Sequence, residues 1–286
     1  MKLDAIFSWK RMCDYKSLEN EFFWNFAKLA VSSASQFHNT VLYTDKEGEK
    51  DFKKRGIMFN KVVILSEIEN ISGNVYCMPK IHAMMKHKHP YVHLDFDTWT
   101  NFEHKSEEMF GWGYPEVNLD YERDHLSIEY MYTEYFKKFK DNLEKYFDPA
   151  FTFQFDYGTV PNFGVFICNN PSLATSIYKK ILWKLTDEDL DNSDKGHYAM
   201  LVEQFLFFKF VESYEIPYTF TYKISPFSFE TNNRVVIANT PTDVNYQTGI
   251  HSKINKLKFV HFNEYKKFPT FSNTIIKLLL KKQNPI

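Results

Sequence analysis

Asp95 and Asp97 stand one residue apart at the end of an apolar run, His89 to Thr100, HPYVHLDFDTWT. If that run is a strand, residues i and i+2 share a face, so both carboxylates project on one side at its end. Like charges that close repel, and the pair calls for a cation, a proton or abundant water. Hard carboxylate oxygens suit Mg²⁺ or Mn²⁺, which would in turn bind substrate phosphates and stabilise charge on a departing diphosphate. The plain alternative is a solvated strand end whose aspartates cap the next turn. The apolar lead-in and the aromatic Trp99 just beyond favour the metal.

Other residues carry weaker signals. Glu203 and Gln204 fall inside a strongly apolar helical stretch, Ala199 to Val211. A buried carboxylate is costly without a partner, so Glu203 is a candidate general base or acceptor-binding group. A partnered structural carboxylate or an exposed stripe explains it at least as well. Trp9, near the end of the first strand, has a ring that can stack on a nucleobase; core packing is the commoner use. Asp45, ending the second strand, can accept a hydrogen bond from a base edge, and a turn aspartate explains it equally. The histidines at 82, 87, 89 and 93 do not form a zinc pattern, because their spacing spreads them over different faces of a helix and the next strand.

The elements that must position these groups follow from periodicity. Leu3 to Trp9, Thr40 to Thr44, Lys61 to Ser66 and Tyr91 to Leu94 read as strands. Between them, Leu18, Phe22, Phe26 and Leu29 recur at helical spacing after a possible Ser17 cap, Glu49 to Arg55 forms a short polar helix, and Pro79 opens a helix to about Lys88. This strand–helix alternation predicts an α/β fold with a mostly parallel sheet flanked by helices. Ligands in such sheets sit outside the carboxyl ends of the strands, where Asp95 and Asp97 fall. Further on, helices are expected over Ile128 to Tyr146, Ser172 to Lys184, Ala199 to Val211 and Thr274 to Lys282. Strands are expected over Phe151 to Phe155 and Val165 to Ile167, flanking a turn at Pro161, and over Lys258 to Phe262. Thr186 to Asp194 reads as an acidic loop or helix start. One domain spanning 1–286 is expected, with residues 1–100 as its nucleotide-binding half and 101–286 as its acceptor side.

Lys and Arg number 35 against 36 Asp and Glu, a balance that argues against a dedicated nucleic-acid binder. The 3 cysteines match no metal spacing and suggest a reduced compartment, so a cytoplasmic location is expected. No apolar run reaches the roughly 18 residues a spanning helix needs. Lys277, Lys281 and Lys282 on the terminal helix allow at most peripheral contact with an anionic membrane surface, and ordinary C-terminal capping accounts for them more simply.

Four segments in order resemble the GT-A nucleotide-sugar glycosyltransferases, in particular the glycogenin-like and related bacterial members. CMPKIHAMMKHKHPYVHLDFD, Cys77 to Asp97, is similar to the segment leading into their DxD strand, and Lys80 holds the place of a basic residue that faces the nucleotide. PNFGVF, Pro161 to Phe166, is similar to their N-x-G-V-F segment. The resemblance puts Asn162 near the donor sugar and makes Gly164 the point of close backbone approach. FVHFNEYKK, Phe259 to Lys267, is similar to their late H-x-x-G-x-x-K motif, with Glu264 where the family has glycine. It implies His261 as a third metal ligand and Lys267, beside Lys266, as a diphosphate contact.

The resemblance thus implies a GT-A fold and a metal-dependent hexosyltransferase-like enzyme. Its cofactor would be Mn²⁺ or Mg²⁺, its donor a nucleotide sugar with a UDP-sugar favoured, and its acceptor a glycan or lipid-linked hydroxyl. Two alternatives stand beside it. One is a haloacid-dehalogenase-type phosphatase, whose DxDx(T/V) signature is imperfect here because Trp99 fills the fifth place. The other is a GT-A-like protein that binds without turnover.

Overall fold

The computed structural model describes residues 2–10, 21–69, 77–113, 115–116, 160–182, 201–221, 235–237, 259–261, 276–277 and 279–280. The chain starts with β1 (Asp4–Trp9), α1 (Glu21–Ser35), β2 (Asn39–Thr44), α2 (Lys46–Lys54) and β3 (Lys61–Ile64). A 3-10 turn (Ser66–Ile68), α3 (Met78–Lys86), β4 (Tyr91–Leu94), β5 (Thr98–Thr100), β6 (Phe110–Trp112) and β7 (Pro115–Glu116) follow. Then come β8 (Val160–Pro161), β9 (Val165–Cys168) and α4 (Pro171–Ile181). A π-helical turn (Leu201–Leu206) runs into α5 (Phe207–Ser213), and β10 (Tyr218–Phe220), β11 (Val235–Ile237) and β12 (Phe259–His261) complete the series.

Seven strands form the main sheet in the order β10-β6-β9-β4-β1-β2-β3. Neighbours pair in parallel except around β9, which runs antiparallel to both β4 and β6. The expected α/β architecture, a mostly parallel sheet flanked by helices, is therefore present. From β1 the chain steps outward to β2 and β3, then crosses back to place β4 on the other side of β1. That reversal opens a crevice at the carboxyl ends of β1 and β4.

Alternation along the strands sorts the core into two layers. Ala5 and Phe7 of β1, with Val92 and Leu94 of β4, pack against Ala27, Ala30 and Val31 of α1 and Phe52 of α2. Ile6 and Tyr91 face the other way, onto Ile81 and Met84 of α3, Tyr178 of α4 and Phe207 of α5. Asp95 continues the second series, at the end of the face that α3 covers.

Several boundaries differ from the periodicity for local reasons. Helix α2 begins three residues before the expected Glu49, because Asp45 caps it and its Oδ1 accepts the Gly48 N–H at 2.7 Å. Helix α3 stops at Lys86, short of Lys88, with Pro90 close behind. Pro161 is not a turn between strands but part of β8, a two-residue ladder with β7, where a missing N–H is tolerated. The turn falls at Phe163 and Gly164. Ala199 to Val211 is not a uniform α-helix: its described start is the π turn. Strands β5, β6, β7, β10 and β11 fall where the sequence predicts none. The expected elements over Ile128–Tyr146, Phe151–Phe155 and Thr186–Asp194, and the Ser17 cap, lie outside the described residues, as does most of the terminal helix. Among the described residues no helix is long and apolar enough to cross a membrane.

Candidate active site at the carboxyl end of the sheet

The two aspartates leave β4 in a tight turn. The Asp95 N–H donates to the Gly164 carbonyl at 2.9 Å, and the Thr98 N–H and hydroxyl both return to the Asp95 carbonyl, at 3.2 and 2.7 Å. Phe96, between the aspartates, packs on the opposite layer, its ring stacked 5.2 Å from Phe7 and 5.2 Å from Phe52. An apolar residue between two acids thus anchors the turn while Asp95 stays on the α3 side. The Asp95 side chain is 35% exposed, and Asp97 is buried.

Helix α3 leads back into β4, so its N-terminus lies at the carboxyl end of the sheet. Lys80, in its first turn, reaches Asp95: Nζ lies 2.9 Å from Oδ1. The same Nζ lies 2.6 Å from Oε1 of Glu203, presented by the π turn. Lys80 and Glu203 are both buried. A lysine at a helix N-terminus opposes the helix dipole, and the two carboxylates offset that. Burial works against the ammonium, but Asp95 and Glu203 outweigh it and hold the Lys80 pKa above the ordinary lysine value. Burial raises the Glu203 pKa, with Lys80 acting against the rise and Asp95 adding to it.

Behind this cluster lies His93, fully buried on β4. Its Nε2 is 3.2 Å from Ser8 Oγ on β1, and its Nδ1 is 3.8 Å from Asp95 Oδ1. Burial, and then the neighbouring Lys80 charge, push its pKa well below the usual value, so the ring is neutral. Ser8 and His93 lie among residues that the sequence marked for other reasons or not at all. Their alternation, two residues from Ile6 and from Asp95, was the available signal.

The remaining candidates fall around the same end of the sheet. Asn162 is buried, and its Oδ1 accepts the Gly164 N–H at 2.7 Å, which shapes the turn beside Asp95. Trp9 ends β1 in register with Thr44, next to Asp45. Its ring lies in an aromatic cluster with Phe23, Trp24 and Phe52, at centroid distances of 6.3, 5.7 and 5.5 Å. Asp45 is engaged as the α2 cap. Strand β12 pairs antiparallel with β5, and His261 lies opposite Thr98, the residue after Asp97. Lys266 and Lys267 lie outside the described residues.

The donor chemistry at Asp95 and Asp97, hard carboxylate oxygens, fits Mg²⁺ or Mn²⁺. Among the described residues no group of three or more His, Cys, Asp and Glu side chains is gathered for a metal ion. The backbone register brings the strand of His261 alongside the aspartate turn.

Residues 10–285 match the family described as "Family of unknown function (DUF6734)". The chain belongs to this family. Comparison with curated proteins gives no match. Among solved structures, the apo form of mouse xyloside xylosyltransferase 1 aligns with a TM-score of 0.38 and 11% identity, over 91% of this chain and 97% of that one. The apo-form glycosyltransferase GlyE of Streptococcus pneumoniae TIGR4 aligns with a TM-score of 0.37 and 9% identity, over 99% of this chain. A second GlyE structure gives 0.38 and 10%, over 98% of this chain. In both, the alignment spans 64% of the GlyE chain. The functional reading therefore rests on this chain's own residues.

Proposed function

We propose that the protein is a metal-dependent glycosyltransferase of the GT-A type, moving a sugar from a nucleotide-diphosphate donor to a glycan or lipid-linked hydroxyl. The observation that carries this reading is a convergence of distant segments. The Asp95 backbone is bonded to Gly164, and β12, with His261, pairs beside the aspartate turn. The described parts of the segments that the resemblance marks thus lie together beside Asp95, which supports the reading.

In this reading Asp95, Asp97 and His261 hold Mn²⁺ or Mg²⁺, which when bound offsets charge on the donor diphosphate. Trp9 and Asp45 border the base at the ends of β1 and β2, with a UDP-sugar favoured. Asn162 fixes the Gly164 turn so that backbone without a side chain faces the donor sugar. Lys267, with Lys266, meets the leaving diphosphate. Glu203, the base expected from the sequence, has a carboxylate oxygen on the Lys80 ammonium. Its part here is to hold that lysine.

The test is isothermal titration of UDP, GDP and CDP, with and without Mn²⁺, on the wild type and on Asp95→Ala/Asp97→Ala. Mn²⁺-dependent binding, lost in the double variant, is the expected result. A folded protein that binds no nucleoside diphosphate would overturn the reading. An acid-labile phosphoryl group on Asp95 would replace it with the phosphatase.

A further inference from the structure

Lys80 is an unusual neighbour for a metal-binding carboxylate. Its ammonium already lies on Asp95 Oδ1 at 2.9 Å, where a cation would have to come. It cannot withdraw into the core, because an unpaired buried ammonium is costly. It need not, because Glu203 Oε1 stands 2.6 Å from the same nitrogen. The side chains of Glu203 and Lys80 are 7% and 9% exposed, whereas that of Asp95 is 35% exposed. The buried half of the cluster is therefore Lys80–Glu203, and the half open to an incoming ion is Asp95.

The backbone supports the same division. Asp95 is held by main-chain bonds to Gly164 and Thr98 that do not involve its carboxylate. Glu203 is presented by a π turn, which places one extra residue in a helical turn and re-aims the side chains around it.

We propose that Lys80 is a tethered counter-cation: Glu203 holds it, Asp95 receives it in the ligand-free protein, and a divalent cation displaces it from Asp95. Glu203 is thus a positioning residue that acts on the aspartate pair through Lys80. The exchange completes the charge balance of the cluster, which one ammonium leaves in deficit. Before it, one ammonium serves two carboxylates. After it, the ion serves Asp95 and Asp97, and the ammonium keeps Glu203. Metal entry is then set by competition with a resident cation, and this rests on the donor-site reading above.

The experiment measures Mn²⁺ affinity, by calorimetry and by loss of the free-ion electron paramagnetic resonance signal. It uses the wild type, Lys80→Met, Glu203→Gln and Lys80→Met/Glu203→Leu, each without nucleotide and with UDP. Lys80→Met is expected to tighten Mn²⁺ binding about tenfold, since a unit positive charge leaves a partly screened site. Glu203→Gln is expected to weaken it severalfold, because the whole ammonium then falls to Asp95. The double variant replaces the buried pair by apolar groups of similar volume and guards against a misfolded single variant. It is expected to match Lys80→Met. A double variant that returns to wild-type affinity would mean Glu203 acts on the ion directly, and overturns the tether. Unchanged affinity in folded Lys80→Met, with the wild type still binding Mn²⁺ and UDP, overturns the competition and leaves the donor-site reading intact. A wild type that binds no Mn²⁺ even with UDP overturns both.

Discussion

Nζ of Lys80 and Oε1 of Glu203 lie 2.6 Å apart, with both side chains buried between α3 and the π turn. Among the described residues Glu203 pairs with no other cation, whereas Lys80 has Asp95 as a second partner. The two halves of the pair should therefore differ in cost. Lys80→Met strands a buried carboxylate and is expected to destabilise the fold by about 3–5 kcal/mol. Glu203→Gln leaves Lys80 its other carboxylate and should cost less, about 1–3 kcal/mol. Lys80→Met/Glu203→Leu removes both charges and should fall near wild type, because buried pairs are often replaced by apolar groups without loss. Urea denaturation of the four proteins checks the order. Equal costs for the two single variants would contradict it.

Gly48 sits in the first turn of α2, against the ends of β1 and β2. A Cβ there would collide with Thr44 Oγ1, stand 2.8 Å from Trp9 Cε3 and 2.9 Å from Asp45 Oδ1. Alanine is the better helix former by about 1 kcal/mol, so on propensity alone Gly48→Ala would stabilise. Overpacking of this kind costs about 1–3 kcal/mol, and the buried contacts cannot all move aside. The expected outcome is net destabilisation by about 1–2 kcal/mol in chemical denaturation. A variant as stable as the wild type would show that the α2 N-terminus shifts freely.

The site was legible where chemistry and alternation coincide. Tyr91 to Leu94, apolar apart from His93, runs into two acids, so both the strand and the candidate site could be read from one stretch. Glu203 was visible as a carboxylate in need of a partner, but nothing in local sequence names Lys80. That pairing exists only once α3 and the π turn meet over the sheet. The π turn was hidden because one inserted residue barely disturbs a 3.6-residue pattern in a stretch where nearly every position is apolar. Strands β5, β6 and β10 have three residues each, too few for alternation to register. Asp45 was read at the right place, yet its spacing to Gly48 also makes a cap, and the structure uses it so.

That double use of Asp45 can be separated by two substitutions. Asp45→Ala removes the acceptor for the Gly48 N–H and is expected to cost about 0.5–2 kcal/mol. Asp45→Asn keeps an oxygen that caps equally well, so stability should change by only a few tenths of a kcal/mol. If Asp45 also meets the nucleotide base, UDP affinity will drop in the asparagine variant while its unfolding midpoint stays put. An asparagine variant with wild-type stability and wild-type affinity for UDP would confine Asp45 to its cap.

Acid lability should come from buried histidines, His93 beside Asp95 among them. The neutral His38 ring bridges two segments: its Nδ1–H donates to the Leu3 carbonyl at 3.1 Å, and its Nε2 accepts the His104 N–H at 3.2 Å. A second proton on Nε2 would face that N–H. Burial lowers the His38 pKa, and burial together with His38 takes His104 down to about 3. His87, where Tyr43 Oη lies 2.9 Å from Nδ1, is lowered to about 4, chiefly by burial. All three folded values lie below the ordinary histidine value of 6.5. The unfolded chain therefore binds protons that the folded chain refuses, and stability rises with pH through that interval. Stability from these groups should be complete above about pH 6.5 and drain away between there and about pH 3–4. Each group that titrates only on unfolding adds up to about 1.4 kcal/mol per pH unit to the slope. Urea midpoints measured at steps from about pH 7 to about pH 4 should fall increasingly steeply. His104→Phe, an apolar ring in a site already shared with Phe102, should flatten that fall. An acid limb as steep in this variant as in the wild type would move the cause to other groups.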